Sequence, residues 1–198
     1  MRTVEIKVYK FEELSKEVQE KVVQEHFIFD EWDCGCLSRD YEERLSCTGF
    51  FDNIEMSYSL SCCQGDGVSF TADITNLDLL NEHLLKNDYI NEKTYKKMKH
   101  ILYRNVVFLA NVGRSNMRYT HKYTVHVNIE LEFNYHDILR IESVIEDFAN
   151  GIEDYKNDLC DEMEKDGYDY IEHCNSIENA QERCDANEYE FLEDGTMY

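Results

Sequence analysis

Proline is absent from this chain of 198 residues, and glycine occurs only eight times. No stretch rich in proline, glycine or serine marks a linker, so the sequence predicts one domain over residues 1–198, long enough to bury a sizeable core. The longest apolar run, residues 106–110, is far shorter than the roughly 18 residues of a membrane span. The opening residues, MRTVEIKVYK, contain no apolar signal segment. We therefore expect a cytoplasmic protein without a membrane partner.

Recognisable catalytic motifs are also missing. The sequence contains no G-x-S-x-G, no H-E-x-x-H and no phosphate-binding P-loop. The nearest glycine-rich stretch, QGDG at residues 64–67, lies between two alternating segments and is typical of a hairpin turn. A phosphate cradle would instead join a strand to a helix. We expect no enzyme, no catalytic residue and no cofactor.

The eight cysteines do not form a recognisable metal motif. Cys34-x-Cys36, with His26 before it and Cys47 after it, could supply zinc ligands. Structural zinc sites usually pair their cysteines as C-x2-C, however, and C-x-C is a poorer match. In a reducing cytoplasm the sequence favours free thiols with neither disulfides nor metal, and a zinc site around Cys34 and Cys36 is the alternative.

Positive charge is scarce. The chain has 42 acidic and 20 basic residues, a net charge of −22, and residues 137–198 alone carry 20 acidic against 4 basic residues. Such a surface repels nucleic acid and anionic lipid and attracts basic proteins. A charge that merely keeps the protein soluble is the competing interpretation.

Two alternating patterns predict the sheet. Residues 117–133, MRYTHKYTVHVNIELEF, alternate apolar or aromatic with polar side chains, which predicts one long strand. Because a strand of that length at a sheet edge invites aggregation, we place it centrally. Residues 54–62 and 68–74 alternate around the QGDG turn and predict a hairpin. The sequence thus predicts an α+β fold: a mainly antiparallel sheet, centred on residues 117–133 and covered by helices.

Helix signals surround these strands. Ser15, Asn76, Asn91 and Ser176 are predicted N-caps, whereas residues 30–37, DEWDCGCL, are expected to form a loop. The C-terminal part, residues 137–198, is predicted to be strongly acidic and helical. Within it, apolar residues from Ile138 to Leu159 recur every three or four positions. They predict a long helix over about 137–165, ended by Gly167, that packs along the sheet.

This helix also carries a regular row of carboxylates. At 100° per residue, four aspartates fall within about 60° of one another on the far side, separated by rises of about 10, 6 and 4.5 Å: Asp147, Asp154, Asp158 and Asp161. Nearby acidic residues widen the row: Glu162, Glu164 and Asp166. Since a DNA strand offers one charge per roughly 3.4 Å, such a row could occupy a basic nucleic-acid channel. A solvated helix face has the same geometry. In the hairpin turn, Gln64 and Asp66 are candidate contacts.

Three segments carry a resemblance to a known group of proteins: VEIKVYKFEELS near the start, CCQGDGVSFTADI in the hairpin and ANEYEFLEDGTMY at the end. Together they resemble a family of small bacteriophage and prophage proteins. Some of its members are described as the antitoxin of a toxin–antitoxin stability system. The resemblance implies a phage gene product that acts in the bacterial cytoplasm, and it implies no catalytic residue.

The sequence as a whole favours an inhibitor of a bacterial defence system, of the anti-CRISPR or anti-restriction type. It would bind a basic host protein stoichiometrically, a nucleic-acid-binding defence effector, without binding nucleic acid itself, and it could form a homodimer. One alternative is an antitoxin-like neutraliser of a toxin. Another is an enzyme or scavenger acting on a nucleotide signal, with the hairpin and the Tyr119, His121 and Tyr123 face lining a pocket.

Overall fold

The computed structural model describes residues 5–103, 107–116, 118–132 and 138–198. Over these residues it forms an α+β fold with four antiparallel strands and six helices, which confirms the predicted fold class. The helices are α1 (Lys16–His26), α2 (Glu31–Ser46), α3 (Leu77–Lys86), α4 (Glu92–Tyr103), α5 (Ile138–Cys174) and α6 (Ile177–Ala186). The strands are β1 (Phe51–Ser59), β2 (Gly67–Ile74), β3 (Val107–Arg114) and β4 (Val125–Glu132), and 3₁₀ turns occupy Phe11–Glu13 and Lys122–Thr124.

The chain divides into two compact units. The sheet unit is Ser38–Lys165, and the terminal unit combines Met1–Leu37 with Asp166–Tyr198. Both points of division fall inside helices, α2 and α5, rather than in a connecting segment. The prediction that residues 1–198 form one domain stays a prediction.

The sheet follows chain order, β1-β2-β3-β4, and each neighbouring pair is antiparallel. The predicted hairpin is confirmed: Ser59 in β1 pairs with Gly67 in β2 across the QGDG turn. Gly65 has φ +93° and Gly67 has φ +142°, a region that side chains disfavour. β2 is the most buried strand, with Val68 and Phe70 fully enclosed.

The strand predicted over residues 117–133 is shorter than expected and is not central. Only residues 125–132 form β4, and β4 ends the strand order; residues 117 and 133 lie outside the described residues. The residues before β4 pack against the hairpin turn instead, where the Thr120 N–H donates to the Gly65 carbonyl oxygen at 3.1 Å. The alternating aromatic residues stack locally, with 5.8 Å between the Tyr119 and His121 ring centroids. The period-2 pattern therefore continues beyond the strand that it predicts.

Helix α5 packs its apolar stripe within the sheet unit. Phe148 and Ile152 are fully buried, and Tyr155 and Leu159 are nearly so. The Phe148 ring lies edge-on to Phe108 of β3, with 6.1 Å between centroids. Tyr155 contacts His83 of α3, with 4.7 Å between centroids. The predicted stripe is confirmed here, but Gly167 does not end the helix, which continues to Cys174.

The terminal unit has a core of its own, built on two phenylalanines whose ring centroids lie 6.1 Å apart, Phe11 and Phe191. Buried residues of α1 and α6 complete it: Val22, Val23, Ala180 and Cys184. Phe191 also joins residue 9 through an isolated antiparallel bridge. In this way the two chain segments of the terminal unit are held together.

The loop predicted over residues 30–37 is wrong, because α2 begins at Glu31. Asp30 caps the helix: its side chain accepts from the Trp32 N–H at 2.8 Å and from the Asp33 N–H at 3.1 Å. In return, the Asp33 carboxylate accepts from the Asp30 N–H at 3.1 Å. This is a capping box made with two aspartates. It favours a helix more strongly than Gly35 disfavours one.

The caps predicted at Ser15, Asn76, Asn91 and Ser176 are confirmed. Each side chain accepts from a backbone N–H three residues later: Ser15 from Val18, Asn76 from Leu79, Asn91 from Thr94 and Ser176 from Asn179. Within the described residues, no helix is both long and apolar enough to cross a bilayer.

Candidate functional site

The predicted carboxylate row lies on the exposed side of α5. Asp147, Asp154, Asp158 and Asp161 are exposed, as is Glu162, whereas the intervening apolar stripe is buried. Glu164 is half-buried. Asp166, further along the same helix, is also exposed and is the first residue of the second segment of the terminal unit. The helix therefore presents the row to solvent along its outer face.

The first half of the row borders a cavity of about 330 Å³ between α5 and the connection from α3 to α4. Three carboxylates line this cavity, those of Asp88, Asp147 and Asp154, together with the side chains of Asn91 and Asn150. We call it the acidic groove. Among the residues that the structure describes, no lysine or arginine lines it, so the groove concentrates negative potential in a concave space.

Gly151 allows the two walls of the acidic groove to approach each other. A Cβ at residue 151 would lie 2.5 Å from the Ile90 Cγ2 and 3.0 Å from the Tyr89 carbonyl oxygen. Glycine inside a helix costs about 1 kcal/mol relative to alanine. The close packing of α5 against the α3–α4 connection explains why residue 151 is a glycine.

Of the four aspartates of the row, the two that line the acidic groove are the least engaged. Asp154 has no hydrogen-bond or ion-pair partner among the residues that the structure describes. Asp147 accepts a long hydrogen bond, 3.3 Å, from the Thr94 hydroxyl. Both carboxylates remain exposed to solvent. A cation that binds these two carboxylates would therefore break fewer existing contacts than one that binds the other aspartates of the row.

The second half of the row is partly neutralised within the protein. Asp158 accepts from the Tyr89 hydroxyl at 2.7 Å. Asp161 pairs with Lys122, and that hydrogen bond raises the pKa of Lys122. Glu162 pairs with Arg44 at 2.5 Å. The row is therefore electrostatically uneven. Asp161 and Glu162 have cationic partners, whereas Asp147 and Asp154 have none among the residues that the structure describes.

Asp66, a candidate contact in the hairpin, has a structural role. Its carboxylate accepts from the Ser59 hydroxyl at 2.7 Å and from the N–H groups of Ser61 and Cys63 at 2.9 and 2.7 Å. The Ser59 hydrogen bond first, and then that of Cys63, lower the pKa of Asp66. Gln64 is exposed, so Gln64 rather than Asp66 is the available contact in this turn.

The hairpin turn and the acidic helix meet at Glu164. A Cβ placed on Gly67 would lie 2.9 Å from the Glu164 Oε2. Burial raises the pKa of Glu164, and the nearby carboxylates of Asp161 and Asp66 add to the effect. The two candidate contact regions, which are far apart in sequence, are thus neighbours in the sheet unit.

The face of Tyr119 and His121 packs directly on this hairpin. A Cβ on Gly65 would lie only 2.1 Å from the Tyr119 ring, so that ring occupies the space above the turn. The Nδ1 atom of His121 is buried without a hydrogen-bond partner among the described residues. At Gly65 the two stretches that a nucleotide scavenger would use are in van der Waals contact, with the ring filling the space between them.

Lys156 is a structural residue that sequence reasoning missed. It is fully buried, and its ammonium donates to Glu153 Oε1 at 2.5 Å and to the carbonyl oxygens of Val125 at 2.8 Å and Lys122 at 3.1 Å. These bonds fix the start of β4 against α5. The available signal was its spacing: residue 156 lies four positions after the buried Ile152.

The cysteines are free thiols, and three of them are buried: Cys160, Cys174 and Cys184. Burial raises the pKa of Cys160 to about 12 and that of Cys184 to about 11. Cys34 and Cys36 lie two residues apart on α2 and therefore point about 200° apart around the helix. Within the described parts of the chain, no group of three or more histidine, cysteine or acidic residues could hold a metal ion.

Comparison with known proteins identifies a family but no activity. The family described as domain of unknown function DUF8835 matches residues 32–181, which is 150 of the 198 residues. No curated protein and no solved structure gives a significant match. The matched range includes the whole sheet, the carboxylate row and the acidic groove.

Proposed function

The chain belongs to the DUF8835 family, and we propose that this member is a phage-encoded inhibitor of a bacterial defence system. It acts in the bacterial cytoplasm by binding a basic host protein stoichiometrically, in the manner of an anti-CRISPR or anti-restriction protein. Its α5 carboxylates take the positions of nucleic-acid phosphates on that protein. The observation that carries the proposal is the acidic groove, with uncompensated carboxylates at Asp147 and Asp154.

The geometry of the groove suits cationic side chains. A lysine or arginine entering it meets carboxylates from two walls, Asp88 on one and Asp147 and Asp154 on the other. Asp147 and Asp154 are seven residues apart, a rise of about 10 Å, which is close to three phosphate intervals of a DNA strand at roughly 3.4 Å each. One helix can therefore engage cations that normally hold separate phosphates.

The overall charge supports recognition of a basic partner over a distance. A net charge of −22 steers a cationic surface towards the protein and repels free nucleic acid. The charge concentrates in residues 137–198, which contain α5. Because salt screens surface charges over about 8–10 Å at physiological strength, the interaction should weaken as salt rises.

The hairpin extends the same surface. Gln64 is exposed in the turn, and Glu164 lies beside Gly67. A partner seated along α5 can contact the turn through Gln64 while Asp66 holds the turn in shape. The resemblance to phage and prophage proteins is a second reason for the proposal. It also supports the rival partner, a toxin, which the same acidic surface would neutralise.

Affinity capture followed by mass spectrometry tests the proposal and identifies the partner. Tagged parent protein is incubated with a bacterial lysate beside the double variant Asp147→Lys/Asp154→Lys. The matched control, Glu20→Lys/Glu25→Lys, makes the same change of charge at two exposed positions of α1. We expect the parent and the control to capture a nucleic-acid-binding defence protein that the groove variant does not retain.

Two results would contradict the proposal. Equal capture by the groove variant, shown to be folded by its melting curve, would exclude the acidic groove as the contact. Capture of a toxin that has no role in defence would instead make the antitoxin alternative correct. Added nucleic acid should displace the defence protein, because both ligands claim the same cations.

A further inference from the structure

A second cavity, of about 440 Å³, lies within the terminal unit. Three helix segments line it: Trp32 and Asp33 at the start of α2, Tyr170, His173 and Cys174 near the end of α5, and Asn179 and Arg183 on α6. We call it the tryptophan cavity. Its volume falls within the range of about 300–1,000 Å³ that small-molecule sites occupy.

Trp32 gives this cavity a flat aromatic wall. Trp32 is the only tryptophan in the chain, and 74% of its surface is exposed. Its backbone N–H is bound by the Asp30 cap, so the first turn of α2 holds the residue in place. The indole itself has no hydrogen-bond or ring partner among the residues that the structure describes. Such a surface can stack on a planar ring.

Arg183 gives the cavity a cation that packs on an aromatic ring. Its guanidinium lies over the buried ring of Phe27, 5.1 Å from the centroid, which fixes the orientation of the fork. Within the described parts of the chain, no carboxylate oxygen lies within 4 Å of this guanidinium. A guanidinium fork matches the two oxygens of a carboxylate or phosphate.

Four of the other lining residues are already engaged or uncharged: Asp33, Tyr170, Cys174 and Asn179. Asp33 accepts from the Asp30 N–H in the capping box, and the Asn179 amide donates to the Cys174 carbonyl oxygen at 2.9 Å. Burial, and then the hydrogen bond with Cys174, raise the pKa of Tyr170; burial also raises the pKa of Cys174. Both side chains therefore stay uncharged at neutral pH.

We propose that the tryptophan cavity binds a small molecule that carries a planar aromatic ring and an anionic group. The ring stacks on Trp32, and the anionic group pairs with Arg183. Mononucleotides and aromatic carboxylates both have this chemistry. The strong acidity of the chain, net −22, opposes polyanions, so the site selects ligands of low charge rather than nucleic-acid polymers. This inference is independent of the acidic groove.

Because Trp32 is the only tryptophan, its fluorescence reports directly on this cavity. The full-length protein is titrated with AMP, with phenylacetate, with adenosine and with inorganic phosphate, using excitation at the red edge of indole absorption. We expect saturable quenching by AMP, by phenylacetate or by both, and which of them binds distinguishes the two sources of the anionic group. Adenosine and phosphate, which each lack one half of the ligand, should bind at least about tenfold more weakly.

Two variants locate the ligand, with calorimetry replacing fluorescence where the indole is removed. Trp32→Ala should weaken binding about tenfold, in line with the usual contribution of base stacking. Arg183→Gln should weaken it by about as much, because it removes a charge-assisted hydrogen bond. The control, Lys10→Gln, removes an exposed cation of the same unit that pairs with Glu190 at 3.6 Å, and it should bind as the parent does. The absence of saturable binding by either probe at millimolar concentration, or equal affinity in a folded Arg183→Gln, would overturn the proposal.

Discussion

Replacing Gly65 with alanine should destabilise the protein strongly, and the structure allows the size of the effect to be worked out. The residue has φ +93°, where an L-residue costs about 1–2 kcal/mol. The new Cβ would also lie 2.1 and 2.6 Å from two carbons of the Tyr119 ring, and overpacking of this kind typically costs about 1–3 kcal/mol. The two contributions together predict a loss of about 2–5 kcal/mol in the free energy of unfolding.

Thermal and urea unfolding, followed by circular dichroism, measure this loss. For a chain of this size, about 2–4 °C of melting temperature corresponds to each kcal/mol, so Gly65→Ala should melt roughly 4–20 °C below the parent. Adding Tyr119→Ala removes the ring and should recover the overpacking part, about 1–3 kcal/mol, while the cost of the positive φ remains.

Gly35→Ala is the matched control with the opposite expected sign. Residue 35 lies inside α2, and no atom would meet its new Cβ within 4 Å. Alanine there should stabilise the helix by about 0.5–1 kcal/mol. The reasoning would be refuted if Gly65→Ala melted with the parent, or if Tyr119→Ala did not reduce the cost of Gly65→Ala.

Two further predictions concern ionisable groups. Burial raises the folded-state pKa of Glu164, so the charge of this carboxylate opposes folding at neutral pH. Glu164→Gln should therefore raise the melting temperature at pH 7. The gain should vanish at a pH below the ordinary pKa of glutamate, because Glu164 is then protonated in both the folded and the unfolded parent. An equal gain at every pH would contradict this sign. Thiol titration with Ellman's reagent should find the exposed cysteines reactive in the folded protein and the buried ones reactive only in denaturant; fast reaction of all eight would show that the buried positions are wrong. The exposed set is Cys47, Cys62 and Cys63, and the buried set is Cys160, Cys174 and Cys184.

Local signals in the sequence were sufficient for much of the fold. The α+β class, the QGDG hairpin and four helix caps were predicted because each depends on residues close together in the chain. The stripe of α5 was predicted for the same reason, since a helical period of 3.6 separates buried from exposed positions. These features need no knowledge of the tertiary partner.

Long-range contacts decided the features that the sequence did not predict correctly. Residues 119–123 alternate like a strand, yet Tyr119 packs on Gly65 and Lys156 holds the carbonyl oxygens of Lys122 and Val125. Nothing within residues 117–133 reveals these partners, so the alternation alone predicts a strand that is too long and too central. The start of α2 is different: its Asp30–Asp33 capping box was a local signal that could have been read.

In the candidate site, too, some features follow from the local sequence and others depend on long-range contacts. The exposure of Asp147 and Asp154 followed from the helical wheel, whereas their uncompensated charge depends on where the cations lie. Lys122 and Arg44 are distant in sequence from the residues that they neutralise, Asp161 and Glu162. Asp88, the opposite wall of the acidic groove, comes from a connection that carried no functional signal.

The most direct measurement of the central claim is the association rate of the captured partner with the parent protein and with Asp147→Lys/Asp154→Lys, by surface plasmon resonance at low and moderate salt. Electrostatic steering changes association rates by about 10- to 1,000-fold. We predict that the parent associates rapidly at low salt and more slowly at moderate salt. The groove variant should associate at least about tenfold more slowly at low salt, and Glu20→Lys/Glu25→Lys should remain close to the parent. A folded groove variant that associates as fast as the parent at both salt concentrations would contradict the claim that these carboxylates take the place of phosphates.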